Sequence, residues 1–335
     1  MGASIAYHLA LLGADDVVLC DVGTVASGST GKAMGGVRQQ FSTEAEVRLA
    51  QASIAFFREL GAPFFRQVGY LFLATTEEGL ARLGARAELQ RGLGVPVEDV
   101  DPAEVEGLHA DDVLGAVICR EDGVASPPST AREVVRRAAE RGVEVREHTD
   151  ARDVDGDVLV VACGPWSGDL FDELPIRPLV RQLVDVGPVD GLPETLPMVV
   201  EEETTFHFRR RESFLRLAMR EPTARWSSEE VVDDALVAEV RERLASRYPP
   251  AAGARVERAW AGLYDMTPDA HPVIGPLSDD VYVAAGFSGH GFMQSPAVGR
   301  AVSEELLELE PTFDLTPYRL ERFAGDEVFP EELVL

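Results

Sequence analysis

Lysine is nearly missing from this 335-residue chain: Lys32 stands alone among 31 basic residues, against 58 acidic ones, for a formal net charge of −27. That deficit excludes nonspecific nucleic-acid binding and attraction to anionic membrane surfaces, both of which need a basic face. Two readings of the acidity stand. One is a generically acidic cytosolic protein. The other, which the near twofold acid excess favours, is a halophilic protein whose carboxylates keep it hydrated while salt screens their repulsion. Cysteine is also scarce. Cys20, Cys119 and Cys163 lie far apart with no CxxC pair, which excludes a disulfide framework and a zinc site and predicts buried free thiols in a reducing compartment. No metal site is expected. Apolar runs are short, residues 158–163 being typical, against the roughly 20 needed for a membrane span. Residues 1–16 have no basic leader region, so a signal peptide is not expected. The expectation is a cytoplasmic protein without a membrane span.

What the chain has is enough apolar residue, 45%, to bury a core, and a mixed pattern of periods. Residues 3–12 have a helical apolar face closed by Gly13, and Val17–Cys20 is a continuously apolar strand ending at Asp21, as in a parallel sheet buried on both faces. A Gly/Ser/Thr-rich loop runs from Gly23 to Gly36. Helices are predicted over 43–60, with Thr43 as N-cap and Glu46 as its capping-box partner, and over 77–91, 130–140, 229–247 and 296–309. Strands are predicted over 68–75, 115–119, 143–145, 158–162 and 281–285. From 177 to 219 the segments RPLVRQLVDV, PMVVEE, TTFHFRR and SFLRLAM alternate as an antiparallel block. Buried βα-type segments thus flank a β-rich insertion, the pattern of a discontinuous nucleotide-binding domain of α/β class.

Three places carry candidate chemistry. Gly2 and Asp21 are nineteen residues apart, close to the spacing of a helix-packing glycine and a ribose-binding acid, although many α/β proteins have such a pair without that role. The loop ASGSTGKAMGGVRQQF, residues 26–41, suits a backbone wrapped round a phosphate, yet it is no P-loop because no Ser or Thr follows Lys32. The stretch VYVAAGFSGHGFMQSPAVGR, residues 281–300, runs from a strand through Gly286, Gly289 and Gly291 into a helix, where close backbone approach and a helix N-terminus favour a flat or phosphorylated ligand. His290 between two glycines is either a satisfied core histidine or a ligand-facing one; the glycines favour the second.

Together with VVACGPWSGDL and WAGLYDMTPDAHPVIGP, these segments, in this order, resemble the D-amino-acid oxidase-like FAD-dependent oxidoreductases, nearest the glycine/sarcosine oxidase and amine dehydrogenase branch. The resemblance covers nearly the whole chain. It implies a Rossmann-type FAD-binding domain (1–67, 123–172 and 258–325) with an inserted antiparallel-sheet substrate domain (68–122 and 173–257), α+β taken as a whole. It implies non-covalent FAD and oxidation of the C–N bond of an amino acid or N-methylated amino acid by hydride transfer to the flavin. By position, Gly2 resembles the third glycine of the family's GxGxxG and Asp21 its ribose acid. Ser27, Thr30, Lys32 and Gly35 fall where relatives line the pyrophosphate and flavin. Gly164 and Trp166 match an AAGxW turn, and Gly286, Phe287, Ser288, Gly289, His290, Gly291, Phe292 and Met293 match the stretch around the isoalloxazine ring. Arg38, Tyr264 and His290 fall on the substrate side, a guanidinium being apt for a carboxylate. For Arg38 a structural ion pair is an equal reading, and Tyr264 and His271 are equally packing residues.

Departures from the family pattern accompany the match. The first strand and first two glycines are not in the sequence, so an N-terminally truncated family member is expected. The excursion before CGPW is short. Met293 stands where some amine oxidases have a lysine, and no residue offers an anchor for a covalent flavin. With Lys32 the single lysine, a dehydrogenase is favoured over an oxidase. The rival reading is a non-catalytic or flavin-deficient chain; a nicotinamide-dependent reductase is disfavoured by GFSGHGF. The expected partners are a small amino-acid or amine substrate, an electron acceptor the sequence leaves open, and a homo-oligomer or heteromeric complex.

Overall fold

The structure is a computed structural model and describes residues 1–325, 330–331 and 334–335. Its helices are α1 (Gly2–Leu11), α2 (Ser29–Lys32), α3 (Glu44–Leu60), α4 (Glu77–Gly92), α5 (Pro127–Ala139), α6 (Ser167–Leu170), α7 (Asp234–Arg247) and α8 (Gly291–Leu306). The first nine strands are β1 (Val18–Asp21), β2 (Gly36–Val37), β3 (Phe65–Arg66), β4 (Tyr70–Ala74), β5 (Val97–Asp99), β6 (Gly115–Cys119), β7 (Gly123–Ala125), β8 (Glu144–Glu147) and β9 (Leu159–Val161). The last seven are β10 (Arg177–Val186), β11 (Met198–Glu201), β12 (His207–Arg211), β13 (Phe214–Ala218), β14 (Val256–Met266), β15 (Val273–Pro276) and β16 (Val281–Ala285).

The chain divides into two compact units. The first holds Met1–Ala33, Ser126–Leu179 and Leu263–Val334; the second holds Met34–Ala125 and Val180–Gly262, with Leu335. The sequence division carried its first segment to residue 67, whereas the compact unit breaks after Ala33, because β2 and β3 pair with β7 inside the second unit.

In the first unit β1 pairs parallel with β8, while β16 pairs parallel with β9 and antiparallel with β15. These five strands form two sheets, not one. Val161, Leu174, Ile176, Val273, Val283 and Ala285 make a core against the second of them. Helices α1 and α8 pack closely: a Cβ on Gly299 would lie 2.3 Å from Ser4 Oγ and 2.9 Å from the Ser4 carbonyl carbon. Gly2, by contrast, would place a Cβ 3.5 Å from Leu19 and 3.6 Å from Ala162, which is ordinary contact. The obligatory close-packing glycine is Gly299.

Helix α8 begins five residues before the predicted 296, and Pro296 lies inside it. A proline there removes the bond to the carbonyl four residues back, and that carbonyl, Phe292 O, instead accepts from Ser295 Oγ at 2.9 Å. The serine preceding the proline therefore lets the helix run through. Other ends follow their caps. Thr43 accepts from Glu46 N to start α3, and Thr76 accepts from Gly79 N to start α4.

In the second unit an eight-stranded sheet runs β14-β10-β13-β12-β11-β4-β6-β5, and β10 and β14 each carry the chain from one unit into the other. The described pairs are antiparallel except β11 with β4. One face, including Leu71, Val184, Val199, Phe208 and Leu217, forms the core with Leu236, Val240 and Leu244 of α7. Of the three cysteines only Cys119 is buried; Cys20 is half-buried and Cys163 exposed, since the strand before Gly164 ends at the surface. Among the described residues no helix is long and apolar enough to cross a membrane.

Candidate functional site

Strand β1 ends at Asp21, whose Oδ1 accepts from Gly23 N at 2.8 Å and so tightens the turn into the glycine-rich loop. Within that loop Ala26 takes φ 65° and a Cβ on Gly31 would fall 2.6 Å from Ala26 O. The loop then winds into α2, which carries Thr30 and Lys32. Ser27 is exposed, while Thr30 and Lys32 are half-buried. Ser29 Oγ donates to Leu263 O at 2.9 Å, tying the loop to β14. Gly28 lies against the Trp166 ring, so the loop and the CGPW turn, in which Gly164 has φ 56°, come together in the first unit. Beside that turn Ser167 Oγ is buried without a hydrogen-bond partner among the described residues.

The second glycine-rich turn is built on Asp265, a residue the sequence reading passed over. Its Oδ2 accepts from Gly286 N at 2.9 Å and Phe287 N at 3.0 Å, and its backbone oxygen accepts from Ser288 N at 3.1 Å. Burial raises the Asp265 carboxyl above its ordinary value, and the two backbone N–H donors oppose that rise. Gly289 has φ 91°, and a Cβ there would penetrate the Tyr264 ring at 2.3 Å. Glycine is thus required twice over at this position. Tyr264 accordingly packs on the turn, with His290 following as the buried N-cap of α8. Gly291 lies against the Phe287 ring, and Phe292 and Met293 complete the first turn of α8. His271 is fully buried, edge-on to Tyr318 in a packing role.

Helices α1 and α8 share a feature. Neither has a side-chain cap, and neither has an acidic residue in its first turn, in a chain with 58 acids. Uncapped N-terminal N–H groups with the positive end of the helix dipole suit phosphate oxygens. Asp21, whose second oxygen carries none of the described hydrogen bonds, and the buried Ser167 hydroxyl add an acceptor and a donor. This donor set fits an anionic dinucleotide. Among the described residues no cluster of His, Cys, Asp or Glu suits a metal ion.

Gly35 and Arg38 lie in the second unit, apart in the chain's division from the other predicted residues. Arg38 is 1% exposed, its guanidinium over the Phe41 ring at 4.2 Å and donating to Gln40 O. Next to it the buried Asp122 carboxylate accepts from Gln39 N at 3.0 Å, Gln39 Nε2 at 3.0 Å and Gln40 Nε2 at 3.2 Å. Burial pushes Asp122 up to about 6 against those donors. In the predicted strand TTFHFRR, His207 and Arg209 alternate onto one face of β12. Both are buried.

A family model described as FAD dependent oxidoreductase (DAO) matches residues 1–305. The chain is 26% identical to a glycine oxidase of Geobacillus kaustophilus over 97% of this chain and 95% of that protein. It is 24% identical to 4-methylaminobutanoate oxidase (formaldehyde-forming) of Paenarthrobacter nicotinovorans, covering 98% of this chain and 45% of that longer protein. Among solved structures it resembles L-proline dehydrogenase from P. horikoshii, with TM-score 0.89 and 27% identity over 97% of this chain and 96% of the other.

Proposed function

The chain belongs to the DAO family of FAD-dependent oxidoreductases, and from that premise we propose that it oxidises the C–N bond of an amino acid or N-methylated amino acid. Its relatives named glycine oxidase, 4-methylaminobutanoate oxidase and L-proline dehydrogenase support that substrate class. The observation that carries the reading is the Asp265-locked turn running directly into the uncapped α8, in the same unit as the uncapped α1.

When bound, FAD supplies a two-electron acceptor for the hydride leaving the carbon next to nitrogen. The chain's residues do the rest. The N-terminus of α1, beginning at Gly2, would hold the diphosphate charge, and Asp21 would accept from a ribose hydroxyl. Ser27, Thr30, Lys32, Gly35, Gly164 and Trp166 are the proposed dinucleotide-lining residues. The turn Gly286–Ser288 spends its first three N–H groups on Asp265. Donors toward charge on the flavin are therefore assigned further on, to Gly289, Gly291 and Met293. Tyr264 and His290 are the proposed substrate-orienting residues, and Arg38 remains the proposed carboxylate partner. A dehydrogenase is favoured over an oxidase because the chain's single lysine, Lys32, sits in the phosphate-side loop.

A second reading, a chain that folds but holds flavin weakly, is favoured by the division of the first unit's five strands into two sheets. Absorbance of the protein purified in molar KCl separates the two. Flavin bands that bleach anaerobically on adding glycine, L-proline or 4-methylaminobutanoate support the enzyme, and a colourless folded protein that takes up no added FAD overturns it. Reoxidation of the bleached protein by air, as against a dye acceptor only, then decides oxidase from dehydrogenase.

A further inference from the structure

After α8 the chain comes back against β15 in two short 3-10 turns, Thr316–Tyr318 and Leu320–Ala324, beyond the residues that the family model matches. Arg322, in the second turn, faces inward: its side chain is 9% exposed, and that of its partner Asp269 is fully buried. All five of its N–H donors are engaged. Nε donates to Asp269 Oδ2 at 2.8 Å, and Nη2 donates to Asp269 Oδ1 at 3.0 Å and His271 O at 2.9 Å. Nη1 donates to Tyr318 O at 2.9 Å and Arg319 O at 3.1 Å. Burial alone would raise the Asp269 carboxyl, but Arg322 and the His271 N–H bring it below its ordinary value. A buried ion pair is a weak source of net stability, because desolvation offsets its attraction. What five directed bonds supply is position.

The loop pinned in this way reaches the turn before α8. Asp269 Oδ1 also accepts from His271 N at 3.1 Å and lies 3.2 Å from Thr267 Oγ1, whose single proton it shares with His271 O at 2.7 Å. Thr267 meets the turn through its two other groups. Its N–H donates to Ser288 Oγ at 3.3 Å, and its methyl carbon lies 2.6 Å from where a Cβ on Gly286 would stand. Ser288 is fully buried at φ 50°, between Gly286 at 80° and Gly289 at 91°. A serine keeps that left-handed conformation where its surroundings over-determine it. Asp265 holds the turn by its N–H groups; Thr267 holds it by the Ser288 side chain.

We infer that Arg322 is a positioning residue for this turn, acting through Asp269 and Thr267 to set where the Gly289, Gly291 and Met293 N–H groups point. The C-terminal turn thereby governs both the affinity for FAD and the surroundings of the bound ring. This inference rests on the reading of residues 286–293 as the flavin-facing turn.

The test is titration of full-length apoprotein with FAD, followed by visible circular dichroism of the bound flavin and by melting temperature. Arg322→Gln is expected to raise the FAD Kd about tenfold or more and to change the dichroism bands. Arg322→Lys, which keeps the charge and loses the fork, should be nearly as poor. Arg319→Gln is the control, since the Arg319 side chain holds Ile274 O, Tyr282 OH and Glu305 instead. It should lower Tm comparably but leave Kd within about twofold. Thr267→Val keeps the methyl, removes the hydroxyl and spares the ion pair, so it decides the matter even where Arg322→Gln fails to fold. It should weaken FAD at least about fivefold. The double variant Thr267→Val/Arg322→Gln should be no more than about threefold worse than the poorer single, because one path is cut twice. Parental Kd and dichroism in Arg322→Gln or Thr267→Val overturns the inference. So does an equal loss in Arg319→Gln, or losses that multiply in the double variant. A parent protein that takes up no FAD overturns the flavin reading itself, and this inference with it.

Discussion

Asp265 concentrates the residue-scale argument. One carboxylate holds two backbone N–H groups of the turn before α8. Truncating it to alanine leaves both donors buried without acceptors, at roughly 1–3 kcal/mol each. Asp265→Ala should therefore melt several degrees lower and weaken FAD binding by an order of magnitude or more in a fluorescence titration. Asp265→Asn keeps an acceptor oxygen and should stay near the parent in both; equal damage in the two variants would point to the charge rather than the turn. His207 gives a pH prediction. Its folded value of about 4 lies below its ordinary 6.5, so the unfolded chain binds the extra proton between those limits. Its contribution is full above pH 6.5 and falls away toward pH 4, on the order of 3 kcal/mol in all. Asp122, raised to about 6 from 3.8, acts oppositely, its contribution being present below 3.8 and lost as pH rises through 6. The measurement is thus a difference: urea melts of His207→Gln and the parent at pH 7.5 and 4.5, with the parent losing more stability on acidification. Neither residue was legible in the sequence as a site. A lone Asp in GLYDMTPD and a lone His in FHFRRR acquire their roles from strand register and burial, which are long-range consequences of the fold.

At the scale of elements much more was legible, because period and capping are local. The strands over 177–186 and 281–285 appear with their predicted bounds, and α3 starts on its predicted Thr43 cap. The start of α8 was not legible, since a proline reads as a boundary unless a neighbouring side chain takes up the carbonyl it frees, as Ser295 does. Likewise Gly2 drew attention by its motif, while the glycine that α1 and α8 need in order to touch is Gly299, 297 positions away. Paired substitutions test that claim. Gly299→Ala should cost about 1–3 kcal/mol by overpacking onto Ser4. Gly84→Ala, on the open surface of α4 with nothing within 4 Å, should instead gain up to about 1 kcal/mol from helix propensity. Opposite shifts in calorimetric melting temperature support the packing of α1 on α8, whereas equal stabilisation would mean that α1 is not held there.

For the whole molecule the governing quantity is a net charge of −27. Its carboxylates fall into two populations with different responses to salt. Buried pairs such as Arg86–Glu202 and Arg322–Asp269 are shielded from mobile ions, so added salt scarcely weakens them. The exposed acidic excess repels itself, and raising the ionic strength from 0.1 to 1 M shortens its reach from about 10 Å to about 3 Å. Stability should accordingly climb with KCl, by several degrees in melting temperature between 0.1 and 2 M, and a flat response would assign the acidity to solubility alone. The same field acts on an anionic dinucleotide approaching the protein. Where binding rests on a basic surface, salt weakens it; here salt should tighten FAD, because it screens net repulsion. Lys32, in the short helix of the glycine-rich loop, is the local exception to that field, and its contribution should be largest where screening is least. Lys32→Gln is therefore expected to raise the FAD dissociation constant several-fold at 0.1 M KCl and by less than about twofold at 2 M, read by flavin fluorescence on apoprotein. An equal loss at both salts would mean that Lys32 works through a short shielded contact rather than through the field, and FAD affinity that falls with salt in the parent would show the site to be basic despite the charge around it.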